Sequence, residues 1–335
     1  MNIESENPYV GMFAYINGGT VKNLTIKNQT VKTTCVNGIT YIGGLSGYIS
    51  GASIENVKTI GNGKIENEEL NYILNIGGLI GYSNNSTIIN SNSNKNIIAI
   101  TKTSQINAGG LVGSISGGTL NQSYATGNVI TTSTSGKIYV GGLTGYNTGN
   151  SMDKVYATGD VNIMSTTGTT YSGALAGSLS SSNNYVSNSY ATGNVKSNTT
   201  GYIYIGGLAG ENRGEINKSY ATGDIVGVTT AYAQTGGLAG YSTGAITDAY
   251  EIGIVSATST TGNVYAGGLI GFHGGGSVTN TYAVGEVSGE TTGTKNIGGL
   301  TGYGSANNVI NSYWSPKTTG QDTSAGGEEK SIQEL

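Results

Sequence analysis

The chain has 335 residues, of which 58 are glycine and two proline, with 10% charged residues and a formal net charge of −4. Glycine at that density without a Gly-X-Y period excludes collagen, and so few ions leave Ser, Thr and Asn to supply solubility, as on a stacked β surface. A single arginine, Arg213, within a slightly acidic chain leaves no basic stripe for phosphate contacts, so no nucleic-acid partner is expected.

No apolar run approaches the ~20 residues of a membrane span, so direct membrane insertion is not expected, and the N-terminus lacks the basic-then-apolar order of a signal peptide. Disorder is the competing reading of so much Gly, Ser, Thr and Asn. It fails because aliphatic and aromatic residues able to bury area recur at regular intervals. Cys35 stands alone, which points to a buried small hydrophobe rather than a disulfide or a thiolate metal cluster.

In chain order, the opening Val10-Gly11-Met12-Phe13-Ala14 is a degenerate form of the string Gly-Gly-Leu-x-Gly, with Phe13 taken as the equivalent of its leucine. The string returns with its leucine at Leu45, Leu79, Leu111 and Leu143, at the near-match Leu175, and at Leu208, Leu238, Leu269 and Leu300, spaced by 30 to 34 residues. A second string, Tyr-Ala-Thr-Gly or a relative of it, follows 12 to 15 residues after each leucine, at Tyr124, Tyr156, Tyr190, Tyr220, Tyr250, Tyr282 and finally Tyr313-Trp314. The first three units depart from it, with Leu24-Thr25-Ile26 and Val57-Lys58-Thr59.

The two strings predict two strands per unit, one through Tyr139–Leu143 and one through Ile216–Tyr220, both rich in β-branched and aromatic residues. Stretches such as Thr131–Gly136 and Ser180–Asn184 carry turn chemistry. A strand-turn period of this length marks a solenoid, whose coils bury their apolar faces only against one another. The expected architecture is all-β, a β-solenoid of about ten coils over residues 1–315, followed by a C-terminal cap or linker over 316–335. At the ~4.8 Å strand spacing ten coils span roughly 45–50 Å.

Stacking aligns equivalent positions into columns. Four residues before each leucine stand Tyr41, Asn75, Asn107, Tyr139, Tyr171, Tyr204, Gln234, Tyr265 and Asn296, and three after it Tyr48, Tyr82, Ser114, Tyr146, Ser178, Glu211, Tyr241, Phe272 and Tyr303. Buried tyrosine ladders are expected. Glycines beside the inward leucine must be small where coils bend or backbones approach, so a β-branched residue at Gly142 or Gly207 is expected to harm folding.

Catalytic chemistry finds little to work with. Asp153, Asp160, Asp224 and Asp248 are dispersed over several units, and Asp160 and Asp224 replace Asn128 and Asn194 at the turn after Thr-Gly. Glu66, Glu68 and Glu69 read as a charged loop. A zinc peptidase needs paired histidines with a glutamate base, whereas His273 is alone in a glycine-rich, exposed turn. No catalytic residue, cofactor or metal ligand is expected, and Trp314 is expected to close the last coil.

The repeated Gly-Gly-Leu-x-Gly-Tyr followed by Asn-Ser-Tyr-Ala-Thr-Gly-Asn-Val resembles the GLUG-motif repeats of bacterial surface proteins. The closing Asn311-Ser312-Tyr313-Trp314 and Thr319–Gly327 also resemble the end of such arrays. The resemblance implies a fold similar to a right-handed parallel β-helix. It also implies an extracellular or cell-surface location and a non-catalytic part of a larger protein, such as an adhesin or an immunoglobulin-A-cleaving metallopeptidase. Solenoid ends expose unpaired strand edges that invite association unless covered, so flanking domains in a longer parent chain are expected. Three functions are compatible with the resemblance: an adhesin segment or stalk, whose partner is a host or bacterial surface glycan or protein; a glycan-binding or glycan-cleaving β-helix; and a threonine-rich ice or crystal binder.

Overall fold

The computed structural model describes residues 1–35, 38–68, 71–102 and 104–334. Glu69 of the acidic run and the terminal Leu335 lie outside the described residues. The chain winds into a β-solenoid of about ten turns of roughly 32 residues.

One coil shows the plan. Val129–Ser133 forms face A, Ile138–Gly141 face B, Thr144–Thr148 face C, and the two short strands Ser151–Asp153 and Tyr156–Ala157 together form face D. Each strand pairs in parallel with its equivalents one coil earlier and one coil later, so faces A, B and C are ten-stranded sheets running the length of the molecule. Face D is two such ladders side by side. They merge at the N-terminal end, where the eight-residue strands Thr20–Lys27 and Ser53–Ile60 run through both.

The expectation of two strands per unit is therefore corrected to five. Thr131–Ser133 belongs to a strand of face A, because Val129, Thr131 and Ser133 alternate inward; hydroxyl side chains at inward positions hide the period-two pattern. The Gly-Gly-Leu-x-Gly string does not lie in one strand either. Gly142-Leu143 is the bend between faces B and C. The second string breaks at Lys218, whose φ of 45° separates Glu215–Asn217 from Tyr220–Ala221. In the first coil Phe13 pairs with Ser46, so Met12, one residue earlier than expected, takes the leucine position.

Leu45, Leu79, Leu111, Leu143, Leu175, Leu208, Leu238, Leu269 and Leu300 are all fully buried at this corner. Each such side chain contributes about 1.5–3 kcal/mol by leaving water. Glycine stands before every one of these leucines except Leu175, which follows the buried Ala174, and it is favoured there by close approach of the coils, not by an unusual φ. A Cβ on Gly142 would fall 2.1 Å from Ala174 O and 3.0 Å from the Ala157 Cβ, and one on Gly207 would fall 2.1 Å from Gly237 O.

Residues 316–334 fold back over the last coil. Trp314 continues the inward alanine column of face D and lies against Gly299. Beyond it the one-turn helix Pro316–Thr319 leads to Glu328–Glu329, which pairs with Tyr313–Trp314. Gly299 N–H donates to Thr323 O at 3.0 Å and Ala325 N–H to Thr301 O at 3.0 Å.

Candidate functional site

In the string Asn-Ser-Tyr-Ala-Thr-Gly-Asn each residue has a separate place in the stack. The first position is left-handed in every coil: Asn23, Asn56, Asn90, Gln122, Lys154, Asn188, Lys218, Asp248, Asn280 and Asn311 have φ between 45° and 56°. Asparagine tolerates that conformation best among side chains with a Cβ. The serine that follows points inward and bonds twice. Ser189 Oγ donates to Ser187 O at 2.6 Å and accepts the Val155 N–H of the preceding coil at 3.2 Å, and Ser91, Ser123, Ser219 and Ser312 do the same.

The tyrosine of the string points outward and the alanine inward. Tyr124, Tyr156, Tyr190, Tyr220, Tyr250 and Tyr282 stack face to face, with centroids 4.5 to 5.1 Å apart and planes within 2° to 6°. Tyr313 keeps the register, with Lys330 Nζ 5.6 Å over its ring. The expected buried ladder is thus an outer, half-buried one. Its ring faces are taken up by one another, and its edges and hydroxyls meet solvent. Partial burial raises the phenol pKa of Tyr156, Tyr190, Tyr250 and Tyr282.

The turn after Thr-Gly carries a second ladder. Asn128 Oδ1 accepts the Asp160 N–H, Asp160 Oδ1 the Asn194 N–H, and Asn194 Oδ1 the Asp224 N–H, each at 2.9 Å; Asp224 Oδ1 accepts the Ile254 N–H at 3.0 Å. Asp153 accepts from Asn188 and Ser187, both at 2.7 Å, which holds its carboxyl below the usual range. Asp248 accepts from Asn280 Nδ2 at 2.9 Å. Glu66 and Glu68 pair with Lys64 and Lys32. The structure does not bring these carboxylates together.

Two expectations about single residues resolve differently. Cys35 is buried. His273 is not exposed but 1% accessible, with Nδ1 2.7 Å from Ser305 O and Nε2 3.2 Å from Gly276 O, because the following coil covers its turn.

The outer seam of faces B and C mixes aromatic, amide and hydroxyl side chains. Its two columns keep the register read from the sequence, Tyr41 with Asn75, Asn107 and Tyr139 on face B, and Tyr48 with Tyr82, Ser114 and Tyr146 on face C. The faces approach so closely that a Cβ on Gly145 of face C would fall 2.6 Å from Ala108 N of face B. Rings therefore meet across the seam: Tyr139 and Tyr146 lie 4.7 Å apart, while Tyr139, Tyr171 and Tyr204 stack at 4.9 and 4.6 Å along it. Where tyrosine is absent an amide ladder substitutes, Asn107 Nδ2 donating to Asn75 Oδ1 at 2.8 Å. Burial is the main cause that pushes the Tyr139 phenol up to about 12 and raises that of Tyr171 further.

Three ionisable residues leave their columns' pattern, and the sequence reading gave none of them a role. Glu251 replaces alanine in the inward column of face D. Its Oε1 accepts the Gly253 N–H, its Oε2 has no partner, and burial raises its pKa well above the ordinary value. Lys95 is fully buried at a position where later coils have glycine, with Nζ donating to Gly61 O at 3.0 Å and Asn62 O at 2.8 Å; burial lowers its pKa. Glu211 occupies an aromatic position of face C, and its carboxylate is paired with Arg213. The available signal for all three was the column itself: each is a charged residue where the neighbouring coils have none.

A family model described as the GLUG motif matches residues 136–162 and 201–226. Neither the curated proteins nor the solved structures give a match. The two matched segments each run from the start of face B, through C and D, into the next face A, and the coils around them repeat the same strand pattern. The chain thus carries GLUG motifs at two segments, consistent with a GLUG-repeat family protein.

Proposed function

We propose that the array is a non-catalytic module of a bacterial surface or secreted protein, acting as a rigid adhesive segment that presents a long, repetitive face to a host or bacterial surface glycan or protein. The observation that carries this reading is the commitment of polar groups to the stack. Dispersed carboxylates cap backbone N–H groups of the next coil, and serine hydroxyls bridge coils from within. Such a ladder holds a constant cross-section, which suits presentation along an axis. The extracellular location rests on the resemblance to GLUG-bearing surface proteins.

The threonines that gather at the corner between faces A and B give little support to an ice-binding surface. Thr230 Oγ1 donates to Thr200 O at 2.9 Å and Thr261 Oγ1 to Thr230 O at 2.8 Å, so these hydroxyls turn back to the preceding coil rather than outward in a plane.

Co-sedimentation of the purified chain with insoluble polysaccharides, bacterial cell walls, mucin and matrix proteins, with released sugars assayed in the same tubes, tests the proposal. Saturable binding without sugar release is the expected result. Sugar release overturns the non-catalytic reading, and absence of binding to every surface replaces adhesion with a passive spacer.

A further inference from the structure

The tyrosine seam of faces B and C is interrupted at Ser178 and Glu211, which lie between Tyr146 and Tyr241 in the face C column. Glu211 is 5% exposed. One of its carboxylate oxygens accepts from Ser178 Oγ at 2.6 Å and the other from Arg213 Nε at 2.7 Å. The Arg213 side chain is 54% exposed, and Nε is its only nitrogen with a partner among the described residues.

A buried carboxylate is a costly replacement for an aromatic ring that would complete the column. What it does here is fix the guanidinium at Nε and leave both Nη groups, four N–H donors in one plane, without a partner among the described residues. Glu211 and Arg213 both bear on the ionisation of Tyr139 and Tyr171, and Tyr241 and Tyr171 bear on that of Arg213, so the guanidinium is within electrostatic reach of phenols of three coils. It is also the chain's single arginine.

A planar fork of donors matches a planar carboxylate in two parallel hydrogen bonds, which a lysine ammonium does not reproduce. The seam continues in both directions as a line of half-buried rings and amides with one rung per coil at about 4.8 Å, close to the length of one sugar ring in a linear polysaccharide. The chain's net charge of −4 gives polyanions no general attraction, so an acidic polymer would be held through a specific site. We propose that Arg213, oriented by Glu211 in the aromatic column of face C, is a subsite for the carboxylate of an acidic polysaccharide lying along the seam. This deepens the adhesive reading and rests on it.

The test is equilibrium binding of the full chain to polygalacturonate, to dextran sulfate and to neutral dextran, with Arg213→Lys and Arg213→Gln beside the unaltered protein and thermal melts to verify the fold. Saturable binding of polygalacturonate, weakened at least tenfold in both variants and unaffected by excess neutral dextran, is expected. Arg213→Lys keeps the charge and a partner for Glu211, so it isolates the loss of the fork. Equal affinity in Arg213→Lys, equal or tighter binding of dextran sulfate, or no saturable binding of polygalacturonate overturns the subsite. Cell-wall or mucin binding by a chain that gives no saturable binding of polygalacturonate removes the subsite and leaves the adhesive reading standing, whereas absence of binding to every surface by the unaltered chain removes both.

Discussion

At the scale of single residues, the array is set by what the neighbouring coil leaves room for. Gly142 shows this: a side chain there meets backbone oxygen at 2.1 Å and an alanine methyl at 3.0 Å, and neither is the end of a flexible group. Gly142→Val is expected to cost about 3 kcal/mol or more, read as a lower melting temperature or loss of soluble protein. Glu251 gives a change of opposite sign. Its carboxyl is buried with Oε2 unpaired, a defect of about 1–3 kcal/mol. Because burial raises its folded-state pKa well above 4.5, the native state keeps a proton that the unfolded chain releases, and stability falls as pH rises above the ordinary glutamate range. Glu251→Gln should flatten that slope in melts taken from pH 4 to pH 8. Glu251→Ala, which restores the residue of its column, should melt higher than the unaltered chain at pH 8. A lower melting point at that pH would show that the cavity left behind outweighs the removed acid.

At the scale of elements, the coil is the unit of folding. Equivalent positions pair across coils, so removing one whole period preserves every register. Deleting residues 158–191 joins Ala157 to Thr192, the equivalent of the removed Thr158, and leaves the strands of face D paired with their correct neighbours. The shortened chain is expected to keep a β-sheet circular dichroism spectrum and a cooperative melt. Deleting only residues 158–173 places a face C strand where face A belongs and should abolish the melt. The same logic explains what could be read beforehand. Period, leucine column and both seam columns were legible because stacking demands the same residue type at a fixed interval. The number of strands was not, since Thr131 and Ser133 point inward while having turn chemistry. The left-handed column was obscured by Gln122, Lys154 and Lys218, whose side chains give no hint of positive φ. The direction of the tyrosines was equally hidden, because a ladder of stacked rings hides area in much the same way on either side of a sheet. The Glu211–Arg213 pair stood in an aligned column, yet its significance depends on Glu211 being buried while Arg213 is not, and burial is not a property of a column of letters.

At the scale of the whole molecule, sequence-distant contacts are few in kind, each coil touching the next along one axis. Hydrogen bonds between coils point along that axis in all faces, while the covalent chain runs around it. Tension applied between the two ends therefore loads the bonds of one coil at a time, and the rest of the rod does not share the strain. Each coil of roughly 32 residues that detaches lengthens the tether, by about 110 Å at full extension. Stretching single molecules should give a train of evenly spaced force drops of that length, and one drop releasing the whole array would contradict it. In the proposed adhesive role, such a rod would act as a shock absorber, giving way to a pull in small instalments and rewinding from the coils that remain.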